Sequence, residues 1–174
     1  MVTKKQPPIQ GPAAVFVTTT LRNWTPLFHR DSCAAIMIDC LKRILESDRI
    51  SCLAYVLMPS HLHLIVGVKD YQLLPAFMHS LKSDSSHLLW SKMSHEVKLS
   101  VRPGGVKSIW KPQYDELVIT SEKQFRVKMD FIHDNPVKVR IVERATEYEF
   151  SSAKDWMTGT KGQIPIEMGW RWAG

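Results

Sequence analysis

The chain contains no apolar run approaching the roughly 18 residues that a membrane-spanning helix requires, which excludes a helical membrane protein. Cysteine is scarce: only Cys33, Cys40 and Cys52, an odd number with no CxxC pair. A disulfide framework or zinc ribbon is therefore excluded as the basis of the fold. The thiols are expected to act as small buried apolar groups, and a reducing cytoplasm fits. The opening residues MVTKKQPP lack an apolar segment of the secretory kind, and residues 1–12 read as a flexible tail. Repeats and low-complexity stretches are also missing, so the chain is not a repeat array. What is present is ample apolar content, 44% of 174 residues, enough for one compact domain. The net charge is +6 and the sequence pI about 9.3, a balance that suits a polyanionic partner without locating its site. The surplus is uneven: Lys82, Lys92, Lys98, Arg102, Lys107 and Lys111 lie between Phe77 and Lys111 against only Asp84 and Glu96.

The β-branched and aromatic stretch 13–20 predicts a strand. Asn23, Pro26 and Asp31 mark a loop, with Asp31 as expected N-cap of a helix carrying Ala34, Ile38, Leu41 and Leu45 at helical spacing and ending near Ser47. The apolar runs Cys52–Leu57 and Leu62–Val68, split by Met58-Pro59-Ser60-His61, predict a hairpin. A second helix is expected from about Gln72 to Met93, broken by Arg102-Pro103-Gly104-Gly105. Leu117–Ile119 reads as a fourth strand. Ser121-Glu122-Lys123-Gln124 has a capping-box pattern, and Pro136 is expected to stop the third helix near Asn135. The order βαββαβ plus a helix is the ferredoxin-like split arrangement, an α+β fold with an antiparallel sheet. The last 25 residues, with Trp156, Trp170 and Trp172, read as an irregular extension folding back on the domain.

Within the hairpin, His61 and His63 are two residues apart. In a strand they project to one face while Leu62 and Leu64 face the other. Two imidazoles so placed are able to share a divalent ion, although a pair of surface histidines has the same spacing and two ligands leave a site incomplete. In a predicted helix, Phe131 and Asn135 stand one turn apart on one face with Val127 on the same stripe, whereas Phe125, Met129 and Ile132 form the stripe expected to pack on the sheet. Lys107 and Lys111 flank Trp110, Lys82 sits on the basic second helix, and Lys138 and Arg140 follow the third. Cations mixed with an aromatic suit single-stranded DNA, although each lysine is equally consistent with a solvated surface and Trp110 with the core.

The string AYVLMPSHLHLIV, residues 54–66, resembles the signature of the single-tyrosine HUH transposases (IS200-like), closest to the REP-associated tyrosine transposases. Supporting pieces follow in order. They are Thr25-Pro26-Leu27-Phe28, Met78-His79-Ser80-Leu81-Lys82-Ser83, Ile109-Trp110-Lys111-Pro112-Gln113-Tyr114, Phe131-Ile132-His133-Asp134-Asn135-Pro136-Val137-Lys138 and Ser151-Ser152. The likeness spans residues 13–155, leaving 156–174 as an extension. It implies a ferredoxin-like domain that cuts and rejoins single-stranded or hairpin DNA. A divalent ion (Mg²⁺ or Mn²⁺) would be held by His61, His63 and, as third ligand, Asn135. A tyrosine would attack the phosphate to leave a 5′-phosphotyrosine link. Relatives occur as monomers and as homodimers.

The tyrosine's place falls on Phe131, whose ring has no oxygen to attack phosphorus. An engineered Tyr→Phe change, a natural loss of cleavage with DNA binding retained, or service by another tyrosine, Tyr114, each accounts for this. Tyr55 reads as structural, His133 is a minor alternative ligand, and His79, His87 and His95 read as surface residues. A regulatory DNA- or RNA-binding module is the rival reading. A metal-dependent hydrolase using water would need a carboxylate near the histidines, and none adjoins them in sequence.

Overall fold

The computed structural model describes residues 11–47, 50–95, 97–98 and 108–171. Four strands, β1 (Ala13–Thr20), β2 (Ile50–Met58), β3 (His61–Val68) and β4 (Asp115–Ile119), form one sheet in the order β2-β3-β1-β4. Every pairing is antiparallel. Helix α1 (Asp31–Ser47) joins β1 to β2, and α2 (Leu73–Lys92) joins β3 to β4. Helix α3 (Glu122–Lys138) follows β4, and short α4 (Ala153–Thr158) lies near the C-terminus. This is the expected ferredoxin-like α+β arrangement plus a further helix. No helix among the described residues is long and apolar enough to cross a membrane.

Strand alternation sorts the side chains into two cores. Val15, Val17, Leu62, Leu64, Val66 and Val68 point to the face covered by α1 and α2, meeting Ala34, Met37, Ile38 and Leu41 from one helix and Leu74, Phe77, Met78 and Leu81 from the other. Ala14, Val56, Ile65 and Ile119 point to the opposite face, where α3 lays Phe125 and Ile132 on them. Burial of each such side chain larger than alanine contributes roughly 1.5–3 kcal/mol. A bulge between Cys52 and Ala54 puts both Leu53 and Ala54 on the α3 face. Cys33, Cys40 and Cys52 are buried free thiols, as their types suggest.

Several boundaries differ from the sequence expectations. Asp31 is the first helical residue rather than the cap, since the amides of Cys33 and Ala34 already bond the carbonyl of Arg30. Ser121 caps α3 by accepting from the Gln124 amide, but Gln124 returns its bond to Thr120 rather than to Ser121. Pro136 does not stop α3, which runs on to Lys138. A proline there removes one donor, and the last turn is closed instead by Ile141 N–H to the Pro136 carbonyl and Arg140 N–H to the Val137 carbonyl. Helix α2 ends at Lys92 with extended Met93, whereas Arg102-Pro103-Gly104-Gly105 lies outside the described residues.

The C-terminal residues cover the open edge of β2. Leu57 N–H bonds Phe150 O, Ser152 N–H bonds Tyr55 O, Glu167 N–H bonds Cys52 O, and Trp156 Nε1 donates to Leu53 O. Trp170 lies against Gly67 so closely that a Cβ there would overlap its ring. Trp172 lies outside the described residues.

Candidate metal and nucleic-acid site

Strand parity aims His61 and His63 at the face that carries α3, because their neighbours Leu62 and Leu64 are committed to the α1/α2 core. The two imidazole centroids are 4.8 Å apart with the rings edge to face. Each ring is held by a hydroxyl at Nδ1: Thr18 Oγ1 lies 2.7 Å from that of His63, and Ser60 Oγ 3.2 Å from that of His61. Thr18 is the β1 residue directly across from His63, and Ser60 precedes His61 in the hairpin turn. With Nδ1–H donating to the hydroxyl, Nε2 keeps the lone pair that binds a cation.

His63 is enclosed. Phe16 stacks on it at 5.7 Å and Phe131 meets it edge-on at 5.3 Å between ring centroids. Burial, then His61 and the Lys128 ammonium, push its imidazole down to about 3, and burial also lowers that of His61. Both rings are therefore neutral at pH 7, the form a metal needs. Among the described residues no group of three His, Cys, Asp or Glu side chains is placed to hold a metal ion. An amide such as that of Asn135 is a donor of another type that qualifies chemically.

The course of α3 bears on Asn135. Lys128 Nζ sits 4.9 Å from the Phe16 ring centre, and Phe131, three residues on, touches both Phe16 and His63. Across β1 and β3, Phe16 pairs with Ile65, Thr18 with His63 and Thr20 with His61. The helix thus advances from Phe16 towards the histidines, and half-buried Asn135 stands one turn further along the Phe131 face. Phe131 itself is 40% exposed, with Lys138 Nζ at 5.5 Å and Lys128 Nζ at 6.0 Å from its ring centre. Val127 is exposed, while Phe125 and Ile132 are buried against the sheet, in line with the two stripes. Lys128 was not legible as a site residue, although its i−3 spacing from Phe131 was a usable signal.

Three of the sequence-derived candidates take other roles. Trp110 is fully buried, its Nε1 donating to Ser85 Oγ at 2.9 Å and its ring beside Phe28, so it presents no face to a base. Lys82 turns inward and donates to the carbonyls of Lys111, Pro112 and Gln113 at 2.9–3.1 Å, which occupies its ammonium with the loop before β4. Desolvation there brings it down to about 8. Tyr114 packs with the α1/α2 core, on the other side of the sheet from His61 and His63, beneath the Lys82 ammonium.

Tyr55 is fully buried and structural. His133 is fully buried too, bonded through Nε2 to Ser152 Oγ at 2.9 Å and pushed down to about 4 by desolvation, so it anchors α3 to the C-terminal cover instead of serving as a ligand. His79, His87 and His95 are exposed. Lys138 and Arg140 are exposed at the end of α3, Lys111 is half-buried, and Lys107 lies outside the described residues.

One aromatic that the sequence did not single out belongs here. Trp24, 58% exposed, meets His61 at 5.8 Å and carries Lys111 Nζ at 4.5 Å from its ring centre.

The family model described as "Transposase IS200 like" matches residues 14–135. A REP-associated tyrosine transposase of Escherichia coli K12 is 27% identical over 121 residues, which is 70% of this chain and 61% of that protein's own length. A solved structure of a REP-associated tyrosine transposase bound to a REP hairpin aligns over 100% of both chains with a TM-score of 0.70 and 20% identity. A putative transposase from Deinococcus radiodurans aligns over 74% of this chain and 95% of its own, with a TM-score of 0.52 and 19% identity. At those identities the two structures speak for the fold. The family model covers well over half of the chain and contains every residue of the His61–His63 strand, so the chain belongs to the IS200-like transposase family.

Proposed function

We propose that this transposase-family chain grips a phosphodiester of single-stranded or hairpin DNA, in the cytoplasm, through a divalent ion held by His61, His63 and Asn135, and that it forms no covalent link through residue 131. The observation that carries the reading is the pair of neutral imidazoles 4.8 Å apart, each fixed at Nδ1 by a hydroxyl. That donor set suits Mg²⁺ or Mn²⁺ completed by an amide oxygen and by oxygens of the DNA. When bound, the ion supplies Lewis acidity towards a phosphate oxygen. Thr18 and Ser60 orient the rings. Lys128 and Lys138, flanking Phe131, offer charge to the sugar–phosphate backbone, and Lys111 and Arg140 extend the same service outward. A hairpin substrate is favoured by the solved relative described as bound to one.

Phe131 occupies the place from which an attacking hydroxyl would reach such a phosphate: its ring edge meets His63. The scaffold is that of a strand-cleaving and strand-rejoining enzyme, and the residue that would form the link lacks the atom.

Two measurements test this. Mn²⁺ is expected to raise affinity for a DNA hairpin with a single-stranded flank at least tenfold, and His61→Ala with His63→Ala to abolish that increment. Equal binding by the double variant would refute the metal's role. Wild type is expected to yield no covalent protein–DNA adduct, and Phe131→Tyr to gain one with Mn²⁺. An adduct on the wild-type chain would overturn the second half of the proposal.

A further inference from the structure

We infer that Trp24 is a stacking platform for an unpaired base of the DNA strand whose phosphodiester lies at His61 and His63, with Lys111 as the cation beside it. The inference rests on the DNA-binding reading above and adds a residue and a substrate feature to it. Trp24 is the only exposed tryptophan among those described; Trp110 is buried, and Trp90, Trp156 and Trp170 are partly covered.

Its presentation is built into the backbone. Asn23 and Trp24 both adopt left-handed conformations, with φ of 55° and 53°. Such values are unfavourable for any L-residue and worst for bulky ones, and they persist only where the surroundings over-determine them. The surroundings do so here. Leu21 N–H bonds Ser60 O in the hairpin turn, Arg22 N–H bonds Ile109 O, and Arg22 Nε donates to Ser108 O. Thr25 closes the turn on the Arg22 carbonyl through both its amide and its hydroxyl. The contact with Lys111 offsets only part of that strain and leaves more than half of the indole in water, so the arrangement points to a ligand.

The neighbours indicate which ligand. On one side the indole meets His61, where a phosphodiester is expected. On another it carries the Lys111 ammonium, whose own backbone N–H is fixed to Thr20 O at 2.9 Å. An aromatic face, a cation and a phosphate-gripping locus in immediate sequence match a nucleotide that is unpaired, since a paired base has no free face to offer. The pairing of ring with lysine also gives the cation a choice between the π-face and an incoming phosphate.

The test compares a hairpin bearing a single-stranded tail with its blunt counterpart, in Mn²⁺, with 2-aminopurine moved base by base along the tail. Wild type is expected to quench the probe strongly at one tail position. Trp24→Ala should lose that quench and bind the tailed hairpin about ten- to a hundredfold more weakly. Its affinity for the blunt hairpin should change less than twofold, and Trp24→Phe should keep most of the tailed-hairpin affinity. An abasic site at the quenched position should weaken wild type as much as the alanine change does, and should weaken Trp24→Ala no further. Metal-dependent binding that is the same for wild type and Trp24→Ala would overturn the stacking role alone. So would equal losses on tailed and blunt DNA, which mark a general effect on the fold. Failure of wild type to bind either hairpin would bring down the underlying reading and this inference with it.

Discussion

Two hydroxyls fit the histidine pair of β3 to the ligand role proposed for it. Free imidazoles sample several orientations, and Thr18 and Ser60 remove that freedom by engaging Nδ1 of each. Partners of this kind typically carry ten- to a hundredfold in metal affinity. Thr18→Val keeps the shape and deletes the acceptor, so it should weaken Mn²⁺ binding by about that factor in a calorimetric titration, whereas Thr18→Ser should retain most of it. Unchanged affinity in Thr18→Val would mean that His63 is oriented by its Phe16 and Phe131 neighbours alone. This site also shows where sequence reasoning reaches its limit. The common face of His61 and His63 follows from strand parity and was legible. The partner of His63 is 45 positions away and depends on the register of β1 against β3, which no local pattern reveals. Trp110 and Lys82 were misjudged for a related reason: residue type says what a side chain is able to do, and only packing shows that one lies under α2 and the other is spent on three carbonyls.

At the scale of the element, the end of α3 sets stability against charge placement. The bonds from Ile141 to Pro136 and from Arg140 to Val137 form the six-to-one and five-to-two pattern that closes many helices, in which the penultimate position is left-handed and commonly glycine. Here that position is Arg140, with φ of 58°. A left-handed arginine costs on the order of 1 kcal/mol relative to glycine. Arg140→Gly should therefore raise the unfolding free energy by roughly 0.5–1 kcal/mol in urea melts, while lowering DNA affinity and the steepness of its salt dependence if the guanidinium meets a phosphate. A variant that gains stability and loses no affinity would remove Arg140 from the DNA face. Pro136 misled the sequence reading at this same end. The rule that proline stops a helix describes the lost donor and the clash with the preceding turn, and says little about a closing turn that supplies other bonds.

For the molecule as a whole, the question is what keeps a four-stranded sheet from growing. The order β2-β3-β1-β4 leaves β2 and β4 as edges, and β2 is the long one, nine residues of nearly unbroken apolar character. Such an edge invites pairing with another copy. The chain answers with its own C-terminal stretch: Phe150, Ser152 and Glu167 occupy β2 backbone groups, Trp156 bonds Leu53, and the stretch is pinned from the other side by His133 on Ser152 and by Trp170 on Gly67. The βαββαβ core was readable from periodicity because each element satisfies a local pattern. That the last 25 residues fold back on the domain was readable too, but not that they run along β2, because their bonds come from irregular backbone across about 100 positions. The family match ends at residue 135, so the cover lies beyond the matched region. Ending the chain after Glu147 removes every one of these β2 partners while leaving β1 to β4 and α1 to α3 intact in sequence. The truncated protein should melt well below the full chain and form concentration-dependent oligomers by light scattering, through exposed β2. Charged substitutions on that edge, such as Ser51→Lys, should reverse this added association without restoring the melting temperature, because they block edge pairing but supply none of the lost burial. A truncated chain that keeps the full chain's oligomeric state and melting temperature would show that β2 is protected by something other than the residues now lying along it.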